Sequence, residues 1–147
     1  DLRAVVDDVA EDAGPRLARA GVALHCTVDD DLPTVRGDAF LVRQAIDNLV
    51  ENAIDFAPAD STVAVTVRGD EGRVLVEVAD RGPGVPEYAR GRVFERFYSL
   101  ARPGGGGRSS GIGLCFVAEV AGLHGGTVAL ADRDGGGTVA RLALPAA

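Results

Sequence analysis

Four short segments of the 147-residue chain carry side chains whose types and spacing could do chemistry. Asn48, Asn52 and Asp55 recur at i, i+4 and i+7, which stacks them along one line of a helix. An amide oxygen in such a line is a hard ligand suited to Mg²⁺, which takes one or two protein oxygens and completes its octahedron with phosphates and water. Solvent-facing or capping asparagines on an amphipathic helix are the plainer alternative. Asp80 ends a valine-rich run and precedes Gly82 and Gly84. In an apolar pocket its carboxylate would accept a hydrogen bond from the amino group of adenine and repel the carbonyl of guanine, while the glycines let the backbone approach the base. The plainer alternative is a turn aspartate bonding its own backbone.

The other two segments surround a glycine run. Ser109-Ser110-Gly111-Ile112-Gly113-Leu114 follows Gly104-Gly105-Gly106-Gly107. Free N–H groups and the positive end of a helix beginning there would form an anion site, with Ser110, Gly111, Ile112, Gly113 and Leu114 as its candidate residues. An ordinary loop-to-helix joint, with Leu114 in the core, is the competing reading. Phe94-Glu95-Arg96-Phe97 lies just before the glycine run. Its aromatic residues suit a loop anchor. Arg96 is long enough to reach a transferring phosphoryl group or a partner domain, and Arg108 is a second candidate that could equally be a solvated surface residue. Gly135-Gly136-Gly137-Thr138 reads as a turn.

Composition narrows these options. Hydrophobic residues at 46% and charged residues at 25% are ordinary for a soluble globular domain, and no apolar run approaches the roughly 20 residues that span a bilayer. A formal charge of -7 argues against a nucleic-acid surface, so any nucleotide contact must be local. All 15 basic residues are Arg, which excludes a lysine-dependent phosphate loop. Cys26 and Cys115 lack metal-ligand spacing and read as buried free thiols. His25 and His124 suggest ordinary structural or surface roles. The absence of Met leads to the expectation that the chain is part of a longer protein with segments upstream.

The elements that must position these residues follow from periodicity. Leu2, Val5, Val6, Val9 and Ala13 predict an opening helix that ends near Gly14-Pro15 or runs on to Ala20-Gly21. Val22 to Val28 alternates as a strand. Asp38 can cap a helix from Ala39 to Phe56 whose apolar stripe is Val42, Ala45, Ile46, Leu49, Val50, Ala53 and Phe56. Val63 to Val67 and Val74 to Val78 form a hairpin around Asp70-Glu71-Gly72. A short helix is expected over residues 86–92, a third main helix over 111–123, and a closing hairpin from 126–131 and 138–144. About five strands in a mixed sheet, with three main helices on one face, make an α+β two-layer sandwich in a single domain.

Taken in order, Asp47-Asn48-Leu49-Val50-Glu51-Asn52-Ala53, Asp80-Arg81-Gly82-Pro83-Gly84, Phe94-Glu95-Arg96-Phe97 and Gly111-Ile112-Gly113-Leu114 resemble the N, G1, F and G2 boxes of sensor histidine kinases. The chain is identified as similar to their catalytic ATP-binding domain, of the GHKL or Bergerat-fold superfamily. Asn52-Ala-Ile-Asp-Phe-Ala-Pro, Phe94-Glu-Arg-Phe-Tyr-Ser-Leu and Val117-Ala-Glu-Val-Ala look most like the CreC-type kinases. The resemblance implies that Asn52 ligates Mg²⁺, Asn48 supports the phosphates of ATP, Asp80 binds adenine, and Gly82, Gly84, Gly111 and Gly113 line the nucleotide site. It implies a catalytic role for Arg96 facing the γ-phosphate, and a lid over about residues 98–112.

The same resemblance implies transfer of the γ-phosphoryl group to a histidine on a separate dimerisation domain, and then relay to a response regulator. It further implies a homodimeric, membrane-anchored whole protein with this domain in the cytoplasm, touching neither membrane nor nucleic acid. Neither His25 nor His124 lies in the family's phosphoacceptor motif, so the acceptor and sensor domains are expected outside this sequence. Many relatives carry a basic residue where this chain has Asp55, so a phosphate contact is missing or inverted in sign, with Arg96 or Arg108 as candidate compensation. An ATP hydrolase of the gyrase, MutL and chaperone type shares the fold but places a water-activating Glu where this chain has Asn48, which favours the kinase. A nucleotide-binding sensor module without transfer activity is the third reading.

Overall fold

The computed structural model describes residues 1–84 and 113–147. The expected short helix at 86–92, the Phe94-Glu95-Arg96-Phe97 segment and the expected lid over about residues 98–112 fall outside those residues.

The opening helix is two helices, α1 (Leu2–Asp12) and α2 (Gly14–Ala20). Pro15 explains the break: it has no N–H to give, and its ring would clash with the carbonyl of Glu11 one turn back. Asp1 caps α1 by accepting the Arg3 N–H, and Gly21 ends α2 in the left-handed conformation at φ 68°. Strand β1 (Ala23–Val28) follows, then α3 (Ala39–Phe56). Asp38 caps α3, its carboxylate accepting the Leu41 N–H at 3.1 Å. The helix stops because Ala57, preceding Pro58, is extended with ψ 134°. His124 adds a structural tie at this cap. Its Nε2 accepts the Asp38 N–H at 3.1 Å and its Nδ1 contacts the Val120 carbonyl oxygen at 2.8 Å, a pair of bonds that requires the proton on Nδ1.

Strands β2 (Thr62–Asp70) and β3 (Arg73–Asp80) form the expected hairpin, with positive φ at both central residues, Glu71 and Gly72. Helix α4 (Gly113–Leu123) and the hairpin of β4 (Thr127–Asp132) and β5 (Thr138–Pro145) complete the described chain. The five strands make one sheet in the order β1-β2-β3-β5-β4. β1 runs parallel to β2 and the other pairs are antiparallel. The parallel pair needs a crossover, which α3 supplies.

Register builds the core in rows. Val28, Val67, Val76, Leu142 and Val128 align across the sheet, and Cys26, Val65, Val78, Ala140 and Leu130 form the next row. All belong to the hydrophobic core or pack against it, together with α1, α3 and α4 residues. Helix α3 is the centre of this layer, touching β2, β3, α1, α2 and α4. Its buried set matches the expected stripe except at the end, where Ile54 is 2% exposed and Phe56 is only half-buried. The reason is that α3 is covered on two sides. Ile54 faces α1 and α2, which widens the apolar arc beyond a stripe aimed at the sheet alone. Cys26 and Cys115 are free and half-buried, and burial first, then Asp7, pushes the Cys26 thiol up.

The opposite face carries charge. Glu77 on β3 lies between Arg68 of β2 and Arg141 of β5, accepting from Arg68 Nε at 3.1 Å and from Arg141 Nη2 at 2.7 Å. Burial alone would raise the Glu77 carboxyl, but the bonds from Arg141 and then Arg68 outweigh it and hold it below the usual range. A depressed folded value means that the contribution to stability is complete above the unfolded value, near 4.5, and disappears as pH falls through the folded one. Urea denaturation of Glu77→Gln should therefore show lower stability than the parent at neutral pH. The gap should narrow as pH falls below about 4.5 and vanish once pH has passed the lower folded value.

Candidate nucleotide-binding site

Asp80 shares its face of β3 with Val74, Val76 and Val78, so strand alternation turns its carboxylate toward the helix-covered side of the sheet. It is 7% exposed and is the one buried charged side chain among the described residues. Oδ1 accepts the Gly82 N–H at 2.7 Å. The turn reading of Asp80 is thus seen directly, in a residue that is also buried. Burial pushes the carboxyl above its ordinary range. Backbone hydrogen bonds from Gly82 and Thr138 and the cation of Arg133 act in the opposite direction without cancelling it.

Gly82 is required by packing. A Cβ there would lie 2.6 Å from the carbonyl oxygen of Phe56 at the end of α3 and 2.9 Å from the Asp80 carboxylate. The glycine thus lets the end of α3 close over the β3 turn, a reason the sequence reading did not supply. Gly84 has φ +83° and lies near Gly137 and Thr138. A Cβ on Gly137 would collide with the Asp80 carbonyl oxygen. The segment Gly135-Gly136-Gly137-Thr138, read from sequence as a turn, is a turn that packs directly against the Asp80 backbone. The glycine triplet beside a threonine was the available signal.

Helix α3 carries the asparagines. Asn48 Nδ2 donates to the carbonyl oxygen of Gly113 at 3.4 Å, tying α3 to the first residue of α4. Asn52, one turn further along, is half-buried, as is Leu114, which packs against the core. Among the described residues no group of three or more His, Cys, Asp or Glu side chains could cage a metal ion. The donor set here is an amide, suited to a Mg²⁺ that brings phosphate oxygens of its own. Asp55 meets a cation from an unexpected direction. Arg16 of α2 lies 3.1 Å from Glu51 and 3.9 Å from Asp55. Arg96, Arg108, Ser110, Gly111 and Ile112 fall outside the described residues.

A separate cleft of about 170 Å³ lies between α1, α2 and α3, lined by Asp12, Ala13, Arg16, Asp47, Val50, Glu51 and Ile54. It is small for a nucleotide, since ligand pockets run from about 300 Å³ upward. Its three carboxylates would repel phosphates. Burial first, opposed by Arg16, pushes the Asp47 carboxyl up.

Comparisons with known proteins agree with this geometry. The family described as histidine kinase-, DNA gyrase B-, and HSP90-like ATPase matches residues 37–147. The sensor protein CreC of Escherichia coli is 41% identical over 144 residues, 98% of this chain and 30% of CreC, in line with the expected likeness to CreC-type kinases. The structure of full-length ShkA in complex with AMPPNP superposes with a TM-score of 0.87 at 32% identity, over 100% of this chain and 30% of that one. The mycobacterial sensor histidine kinase MprB gives a TM-score of 0.82 at 30% identity, over 99% of this chain and 95% of that one. With its five-stranded mixed sheet, its buried strand-end aspartate and its asparagine-bearing helix, this chain belongs to the histidine kinase-, DNA gyrase B-, and HSP90-like ATPase family, among the ATP-binding domains of sensor histidine kinases.

Proposed function

We propose that this chain binds Mg-ATP between the end of β3 and the start of α4 and presents the γ-phosphoryl group to a histidine on a separate dimerisation domain. The observation that carries the reading is the buried Asp80 carboxylate on the core face of the sheet. An ionised acceptor in an apolar surrounding selects a base with an amino group and rejects one with a carbonyl at that position. Gly82 and Gly84 keep the approach free of side chains. Asn48 and Asn52 address the phosphate end, where the Asn52 amide oxygen would hold Mg²⁺ and the ion would neutralise phosphate charge. Arg96, Arg108 and the Ser110-Gly111-Ile112-Gly113-Leu114 segment are assigned to the phosphates, with Arg96 facing the transferring group. The complex of the relative ShkA with AMPPNP supports a nucleotide as the ligand.

Transfer is favoured over hydrolysis by Asn48. An amide has no basic lone pair with which to take a proton from water, and here its NH₂ donates to the Gly113 carbonyl oxygen, which orients it as a support for the phosphate end. Phosphoryl transfer asks the protein mainly for positioning and charge neutralisation, and the docked histidine is the nucleophile. Arg16 answers the Asp55 charge within the domain, which leaves compensation for the basic residue many relatives carry there to Arg96 or Arg108. Because the chain spans 30% of the length of CreC, the dimerisation domain, the response regulator and a homodimeric, membrane-anchored whole protein belong to this proposal. No helix among the described residues is long and apolar enough to cross a membrane.

Three outcomes follow. Asp80→Asn should weaken ATP binding roughly tenfold to a hundredfold in calorimetry, the loss of a charge-assisted bond of about 1.5 to 3 kcal/mol; unchanged affinity would remove the adenine assignment. Asn52→Ala should weaken binding in Mg²⁺ and leave binding in EDTA unaltered, and equal losses in both would show that Asn52 does not act through the metal. Labelled ATP mixed with this domain and a dimerisation domain from a close relative should leave acid-labile label on the histidine. Free phosphate would mean a hydrolase, and neither product a sensor module.

A further inference from the structure

Helix α4 is tied to α3 at both of its ends. At its start the Asn48 side chain donates to the Gly113 carbonyl oxygen at 3.4 Å. At its end His124 accepts the Asp38 N–H on Nε2 at 3.1 Å, while its Nδ1–H donates to the Val120 carbonyl oxygen at 2.8 Å. Asp38 and Asn48 stand ten residues apart on α3 and its cap, and Gly113 and His124 eleven apart on α4 and its cap. At a rise of about 1.5 Å per residue, both spans are roughly 15 to 17 Å. The two helices therefore run antiparallel, and the first ten residues of α3 are measured out against the full length of α4.

The end that holds His124 is firmly built. Gly125 follows it at φ +72°, the Gly126 N–H returns to the Ala121 carbonyl oxygen at 2.8 Å, and the Gly125 N–H to that of Gly122 at 3.1 Å. This is the Schellman pattern, and it makes His124 the residue on which the helix ends. A Cβ on Gly126 would overlap the Ala143 carbonyl oxygen of β5, so the cap is also wedged against the sheet. On the other side Gly37 makes room for the imidazole, because a Cβ there would overlap its Cδ2 and Nε2. The tie at the start of α4 is long for an N–H···O bond. Between the two ties, Val117, Val120 and Ala121 are buried in the core. Apolar burial is non-directional, so these small side chains hold the helix down without setting its position along α3. That position is set by the polar ties, of which the one at His124 is the shorter and the better supported.

From the double tie, the matched spans and the ring seated against Gly37, we infer that His124 is a positioning residue for the nucleotide site. It fixes α4 lengthwise against α3 and so holds the Gly113 end of the helix beside Asn48, where the phosphates are bound. This rests on the reading of the Asn48 and Gly113 end as the phosphate side of a nucleotide site. It gives a histidine outside the four sequence boxes, at the far end of the same helix, an effect on phosphate binding that is transmitted through a rigid element. Gly37 shares that work by admitting the ring.

The test titrates Mg-ATP by calorimetry and adenosine by NMR into the parent, His124→Ala, His124→Gln, Gly37→Ala, the Gly37→Ala/His124→Ala double variant and Glu77→Gln. His124→Ala should weaken Mg-ATP binding about threefold to tenfold, the scale of one lost hydrogen bond. Adenosine, which lacks the phosphates, should bind it as it binds the parent. His124→Gln should recover most of the loss, since its side-chain oxygen can accept the Asp38 N–H. Gly37→Ala should reproduce the loss by displacing the ring, and should add nothing once His124 is Ala. Glu77→Gln, which costs stability on the outer face of the sheet, should bind Mg-ATP like the parent. Unchanged Mg-ATP affinity in His124→Ala, an equal loss for adenosine, or a loss of the same size in Glu77→Gln overturns the inference. So does a Gly37→Ala loss that persists in full in the His124→Ala background. If His124→Ala does not fold, Gly37→Ala decides, and its binding Mg-ATP like the parent overturns the inference. If the parent itself binds no Mg-ATP, the nucleotide reading fails. If the parent binds, Asp80→Asn weakens it and His124→Ala changes nothing, only the role of His124 fails.

Discussion

A carboxylate on the core-facing side of the central strand sets the terms for one whole end of this fold. An ionised group taken out of water costs several kcal/mol unless hydrogen bonds and opposite charge offset it, and Asp80 sits in line with Val74, Val76 and Val78. Every neighbouring feature serves that requirement. The Gly82 N–H donates to the carboxylate, and position 82 must be glycine because the last carbonyl of α3 occupies the space of a side chain. The Thr138 backbone and, from further off, the Arg133 cation both favour its ionised form. The turn 133–137 is folded closely enough that Gly137 admits no Cβ. What remains is a buried carboxylate among apolar residues, held by its own turn.

The second organising element is α3, which touches two strands and three helices and so has little surface left to vary. Its core side is apolar. Asn48 is tied to the first residue of α4, which couples the asparagine line to the place where the described chain resumes after the lid. On the side toward α1 and α2 the acidic residues are met by Arg16 and Arg43. Part of the acidic charge behind the formal -7 is thus paired within the domain. The outer face of the sheet does the same with Glu77 between two arginines.

Much of the architecture was legible from periodicity. The hairpins, the Asp38 cap and the stop before Pro58 follow from local rules: strand alternation, a side-chain oxygen over free N–H groups, and the conformational restriction before proline. The break between α1 and α2 was visible as Pro15 but had two outcomes, and packing of α2 on α3 and β1 chose the second helix. Ile54 replaced Phe56 in the core because a stripe read against one surface underestimates a helix covered from two sides. The family resemblance extended the reading to residues 85–112, where Arg96 and Arg108 remain assignments by likeness.

By itself, the sequence determined which side chains could act and which elements carry them: Asn48 and Asn52 on one helix line, Asp80 at a strand end, glycines where the backbone must turn. These are consequences of covalent spacing and local geometry. The tertiary structure alone decided what surrounds them. That Gly82 yields to Phe56, that Gly137 packs against the Asp80 backbone, and that Arg16 rather than a neighbour in sequence meets Asp55 all depend on strand order and helix packing. Contacts across a sheet are set by register between distant segments, and no local pattern records which partner the register will bring.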